Sequence, residues 1–140
     1  MQKQFAQQYA NTQVETSVSE ATPHKLVEVL YDGVLKNLVL AKTFMQQKAY
    51  DKKAEHVNKV LAILANLRDG VDVEKGGDIA ENFWAIYDYC YRTVLKASSH
   101  NNIEQMDEIF NMLKDISSAW KEMPENIKRA TEDQIKRLSA

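Results

Sequence analysis

The sequence predicts an all-α protein, an antiparallel four-helix bundle with a mobile N-terminal arm and a short C-terminal helical tail. Glycine and proline are scarce, four and two in 140 residues, well below the ordinary roughly 7% and 5%. They stand at borders (Pro23, Gly70, Gly76-Gly77, Pro124), and only Gly33 lies inside a periodic stretch. Between those borders apolar residues recur every three or four positions, which is the period of an amphipathic helix. A chain with so few breaks has long elements and few turns. Helices of about 20–25 residues with short links pack as an antiparallel bundle, and 140 residues suit one domain.

Residues 1–21 are polar and Gln-rich, with Phe5, Tyr9, Val14 and Val18 as lone large apolar residues. Phe5/Tyr9 and Val14/Val18 are each four apart and share a helical face, but so sparse a stripe cannot hold a helix alone. The segment is therefore expected to be a mobile arm. Thr22-Pro23 is a helix start, a capping hydroxyl followed by proline at the first position. The stripe Leu26, Leu30, Val34, Leu38, Ala41, Met45, widened by Val27, Tyr31, Leu35 and Phe44, predicts a helix from Pro23 to Gln47. Asp51 is the expected cap of a second helix, with Ala54, Val57, Leu61, Leu64 and Leu67 inward, Val60 and Ile63 beside them, and Gly70 at its end. Val71 to Gly77 reads as an acidic loop.

Asp78 is expected to cap the third helix, which turns Ile79, Phe83, Ile86/Tyr87, Cys90, Val94 and Ala97 inward, with Trp84, Tyr91 and Leu95 flanking. Asn101 or Asn102 starts the fourth, and Asn102 with Gln105 resembles a capping box. Its stripe is Ile103, Met106, Ile109/Phe110, Leu113, Ile116 and Trp120, broken by Pro124. The division is thus an arm over 1–21, a bundle over 22–122 and a tail over 123–140. The tail has only Ile127, Ala130, Ile135 and Leu138 to support a marginal helix.

Composition narrows the function classes. Eighteen Lys+Arg against twenty Asp+Glu leave a net charge of −2, unlike the basic surface that nucleic acid demands. The longest apolar run, Val60 to Ala65, is far short of the about 20 residues of a membrane span. The N-terminus has no apolar leader, so a cytosolic location is expected. No phosphate-cradling glycine loop and no Glu-x-x-His pair occurs, so no cofactor is expected and no enzymatic activity. His24, His56 and His100 read as exposed histidines without a role, and the single cysteine, Cys90, as a buried inert thiol. Acids crowd between Asp69 and Asp88 against Lys75, without the ligand spacing of a calcium loop. They suit a solvated loop and the N-terminus of a helix.

What remains is apolar and aromatic. Phe83, Trp84, Tyr87, Tyr89 and Tyr91 fall within nine residues and cannot all point into one core. They read either as a thick core edged by tyrosine hydroxyls or as a groove for a partner helix.

Pro23-x-Lys25-Leu26-x-x-x-Leu30-Tyr31-Asp32-Gly33-x-Leu35-x-x-Leu38-x-x-Ala41 resembles a signature of the flagellar secretion chaperones. Gly76-Gly77-Asp78-Ile79-Ala80-x-Asn82-Phe83-x-x-Ile86-Tyr87-x-Tyr89 is similar to their second signature, and Leu95 to Trp120 follows the closing pattern. The resemblance implies a bundle that holds the C-terminal segment of flagellin one-to-one in the cytosol. It would prevent premature polymerisation and keep flagellin competent for secretion. The export apparatus or a co-chaperone would be further partners. By the same resemblance the arm covers part of the binding surface. The expected contacts are Tyr9 from the arm, Leu30 and Tyr31 from the first helix, and Ile79, Phe83 and Tyr87 from the third. The alternative is a structural or adaptor bundle that self-associates through the same apolar surplus.

Overall fold

A computed structural model describes residues 23–71 and 73–122. Tyr9, the arm and the tail lie outside the described residues. Four helices make up the described chain: α1 (Pro23–Gln46), α2 (Tyr50–Asp69), α3 (Val73–Ser99) and α4 (Ile103–Lys121). They form a ring in which α1 packs on α2, α2 on α3, α3 on α4 and α4 on α1. Among the described residues no diagonal pair of helices packs directly, which is the arrangement of an antiparallel four-helix bundle.

The core follows the predicted stripes. Val34, Leu38, Ala41 and Met45 of α1 meet Val57, Val60, Leu61 and Leu64 of α2, Cys90, Val94 and Ala97 of α3, and Met106, Ile109 and Leu113 of α4. Burying each large aliphatic side chain is worth about 1.5–3 kcal/mol, so the periodicity accounts for most of the driving force. Several positions depart from it. Leu26, Ala54 and Ile79 are exposed although each lies on its stripe: Leu26 and Ala54 stand near the starts of α1 and α2, and Ile79 lies in the first turn after the break at Gly77. Ala80 is buried instead of Ile79.

One end of the bundle is closed by two matching turns. After α1, Lys48 adopts a left-handed conformation (φ 57°), and the amides of Lys48 and Ala49 donate to the carbonyls of Met45 and Phe44. After α3, Asn101 (φ 50°) and Asn102 repeat the pattern onto Ser98 and Ala97. Both are Schellman closures, which satisfy carbonyls that a helix end leaves open. Lys53 joins the two turns, since its Nζ donates to the Ser98 carbonyl at 3.0 Å and to Asn101 Oδ1 at 2.9 Å. The side chain of Asn102 then accepts from the Gln105 amide at 3.1 Å, as the capping-box reading requires.

Several local expectations are corrected. Asp51 does not cap α2: Ala49 holds that place with no side-chain bond, and Asp51 lies in the first turn, where its charge suits the helix dipole. The expected loop before Gly77 is helical from Val73, with Glu74 in its first turn. Gly77 (φ 64°, ψ −142°) interrupts it, and Asp78 is the first residue past the break. Two adjacent glycines lower helix propensity and made the stretch read as loop.

His56 is not a bystander. Its ring stacks on Phe44 with centroids 5.4 Å apart, and Nδ1 lies 2.8 Å from Oδ1 of Asn37, which is only 2% exposed. Asn37 Nδ2 in turn donates to the Gly33 carbonyl at 2.8 Å. This gives the α1–α2 seam a small polar latch. Burial and the nearby Lys59 hold the His56 imidazole below its usual range. The acidic run is also tied down. Arg68 of α2 pairs with Asp69 at 3.2 Å and Asp88 at 3.0 Å, and its guanidinium lies 4.9 Å from the centre of the Tyr91 ring.

Two backbone positions should respond in opposite directions. Lys48 is an exposed lysine in a conformation that favours glycine, so Lys48→Gly should stabilise the fold by about 1 kcal/mol. At Gly77 a Cβ would meet nothing within 4 Å, so Gly77→Ala carries only the backbone penalty, about 1–2 kcal/mol of destabilisation. Urea unfolding of both variants measures the pair.

Candidate functional site

The predicted contact residues divide between core and surface. Tyr31 has no exposed surface, Tyr87 is 5% exposed and Leu30 is buried, so none of the three offers a face to a partner in this conformation. Ile79 is 51% exposed and Phe83 is half-buried. The groups are nonetheless linked. Phe83 stacks on Tyr87 with centroids 6.1 Å apart and planes 25° apart. The Tyr87 hydroxyl lies 2.7 Å from that of Tyr31, and Trp120 meets the Tyr31 ring edge-on at 6.4 Å. A continuous aromatic row thus runs from the surface of α3 through the core to the end of α4.

The burial of this row has an electrostatic consequence. Desolvation pushes the Tyr31 phenol up to about 12 and holds that of Tyr87 well above its usual value, so both stay neutral and share one O–H···O bond. Cys90, one turn past Tyr87, is pushed up to about 12 by the same burial and sits 3.7 Å from the Met112 sulfur. It is the inert thiol the sequence suggested.

The surface beside this row is apolar. Ile79, Phe83 and Ile86 recur at spacings of four and three along the side of α3 that carries Tyr89 and Cys90, whose side chains reach Glu108 and Met112 of α4. Across the seam Met112 is half-buried, and Ile116 follows one turn later on the same side of α4. This α3–α4 seam is the loosest of the four pairings. Tyr89 crosses it to Glu108 at 2.8 Å. By contrast, α1 and α4 are joined by two ion pairs, Lys42–Asp107 at 2.7 Å and Asp32–Lys121 at 2.6 Å. Site analysis from sequence overlooked Ile86 and Ile116, which were visible on their stripes but read as core, and Met112, which lies beside its stripe. On the other flank of α3, Trp84 and Leu95 are exposed as expected for flanking positions.

Among the described residues no helix is long and apolar enough to cross a membrane, and no three acidic, histidine or cysteine side chains gather as metal ligands. The arrangement offers shape and apolar area.

Two buried neutral phenols make the fold sensitive to base. A phenol whose folded pKa is raised contributes stability that is complete below its unfolded value, about 10, and lost as pH rises through the folded value. Unfolding free energy should therefore hold up to about pH 10 and fall toward pH 12. Tyr87→Phe should weaken that fall but lower stability at neutral pH by about 1–3 kcal/mol, since it strands the Tyr31 hydroxyl. Denaturant melts from pH 8 to about 12 measure both effects.

Comparison with known proteins identifies the family. Residues 5–127 match the family described as "Flagellar protein FliS". The chain is 40% identical over 116 residues to the flagellar secretion chaperone FliS of Salmonella typhimurium, covering 82% of this chain and 86% of that protein. It is 34% identical to the FliS of Vibrio cholerae over 84% of this chain and 87% of that one. For Escherichia coli FliS the figures are 36%, 83% and 86%. A match spanning the whole four-helix bundle makes the chain a member of the FliS family of flagellar secretion chaperones.

Proposed function

We propose that this chaperone's client is flagellin and that it binds the C-terminal helical segment, one chaperone to one client. Bound this way, flagellin is kept from polymerising early and stays ready for export from the cytosol. The observation that carries the reading is the apolar flank at the loose α3–α4 seam, with Ile79, Phe83 and Ile86 on one side and Met112 and Ile116 on the other. A segment that must stay apart from its own kind until assembly exposes an apolar stripe, and a helix laid along such a groove covers it. No reactive group is needed for that task, and none is invoked.

In this reading the six expected contacts take different parts. Ile79 and Phe83 meet the client directly. Tyr87 and Tyr31 hold Phe83 from beneath, and Leu30 packs in the same core. Tyr9 belongs to the arm that covers the empty groove and withdraws for the client, a cover that lowers affinity by the fraction of time it is docked.

Isothermal titration with a flagellin C-terminal peptide of about 40–50 residues tests this, together with circular dichroism of the parts and the mixture. The expected result is a one-to-one complex with a negative heat-capacity change and more helix than the parts contain. Ile79→Asp should weaken binding tenfold or more, because about 1.5–3 kcal/mol of apolar burial is lost and a charge is introduced. Ile79 is exposed in the free protein, so its replacement should leave the melting temperature nearly unchanged. An absence of heat with a well-folded protein overturns the reading. An oligomer already present before peptide is added points to the self-associating alternative.

A further inference from the structure

Positive charge gathers on the α1–α2 hairpin. From Gly33 to Val60 there are six lysines and two acids, in a chain whose net charge is −2. Two of these lysines are engaged within the bundle, Lys42 with Asp107 and Lys53 with the turn after α3. Lys36, Lys52 and Lys59 instead surround the Phe44–His56 stack. Lys52 Nζ stands 5.6 Å from the centre of the Phe44 ring, and Lys36 and Lys59 both act electrostatically on His56. Leu40 and Phe44 are half-buried among them, while Lys36 and Lys52 are exposed.

Two rows face each other along this seam. On α1, Lys36, Leu40 and Phe44 are spaced by four and share one stripe, and on α2, Lys52, His56 and Lys59 do so at spacings of four and three. The two helices run antiparallel, so Lys36 comes level with Lys59 at one end and Phe44 with Lys52 at the other. From Lys36 to Phe44 is eight residues, about 12 Å, which is about two helical turns. We infer that this groove docks an acidic amphipathic helix of a second protein, which lays its apolar side chains on Leu40 and Phe44 and its carboxylates on Lys36, Lys52 and Lys59.

The charge is left uncompensated within the bundle. Among the described residues neither Lys36 nor Lys52 pairs with a carboxylate, and Lys59 has only the exposed Glu55 at 3.9 Å. Burial and Lys59 hold His56 below its usual range, Lys36 adds to them and Glu55 opposes them. Carboxylates brought in from outside relieve that positive potential. Exposed ion pairs add little singly, so the apolar floor supplies contact while the lysines select the sign of the partner. A phosphate backbone demands a broad basic surface, which a chain of net charge −2 lacks, whereas a short helix needs only this patch. In the ring of helices the α1–α2 seam lies across from the α3–α4 seam, so such a helix does not compete with the proposed client.

The test is an amide NMR titration of the full chain with a capped helical peptide of about 12 residues, two leucines four apart with glutamates a turn before and a turn after them. Shifts should gather from Lys36 to Phe44 and from Lys52 to Lys59, and the His56 imidazole should titrate at higher pH as carboxylates approach. Lys36→Glu together with Lys52→Glu, both at exposed positions, should weaken binding about tenfold at low salt and leave the melting temperature nearly unchanged. Salt at about 0.5 M should remove most of that difference. No shift in these two segments at millimolar peptide overturns the inference, as does equal binding of a peptide with lysines in place of the glutamates. Tighter binding of oligouridine assigns the patch to RNA, shifts on concentrating the protein alone assign it to a second copy, and displacement by flagellin peptide assigns it to the client. Each of those results also overturns it. The titration itself contains no flagellin, so its failure is distinct from a failure of the client reading.

Discussion

One polar contact in an apolar core sets the terms for the rest of the bundle. The hydroxyls of Tyr31 and Tyr87 meet at 2.7 Å across the diagonal between α1 and α3, two helices whose backbones do not approach closely. A buried hydroxyl without a partner costs about 1–3 kcal/mol, so each phenol is tolerable only because the other faces it. Apolar side chains alone leave a bundle free to slide by a turn at modest expense. This bond does not, because a slip of either helix strands two hydroxyls at once. Trp120 packs edge-on against Tyr31 and Phe83 stacks on Tyr87, so the same constraint orients α4 and the outer face of α3.

Around that constraint the four seams differ. The α1–α2 seam carries the Asn37–His56 latch, the α2–α3 seam the Arg68–Asp88 pair stacked on Tyr91, and the α1–α4 seam two ion pairs. Hydrogen bonds to Asp69 and Asp88 more than offset the burial of Arg68 and keep its guanidinium charged. The α3–α4 seam has least holding it. In the proposed reading the client covers that seam, whose apolar side chains are backed by the aromatic row.

Much of this was legible in the sequence, for a physical reason. Helical stripes such as Val34, Leu38, Ala41 and Met45 state directly which face is buried, and scarce glycine and proline state where helices stop. Asn102 with Gln105 declared its cap because that chemistry is local. What stayed hidden depends on two elements meeting. Tyr31 and Tyr87 read as groove residues because an aromatic at a helix edge looks the same whether it faces solvent or another hydroxyl. His56 looked exposed because its partner, Asn37, is nineteen positions away on another helix. Ile86 and Ile116 looked like core because a stripe gives direction without saying how closely the facing helix approaches.

The two left-handed turns bridged by Lys53 close one end of the bundle, while the starts of α1 and α3 stand at the other. Stability is therefore graded along the bundle axis. Helix ends fastened by Schellman turns and a shared ammonium open last, and the end where Gly77 interrupts α3 opens first. Ile79 and Phe83 lie at that yielding end. A client can then be taken up or handed on by fraying a few turns, while the knotted end keeps the four helices in register and refolding begins from a structure that was never fully lost.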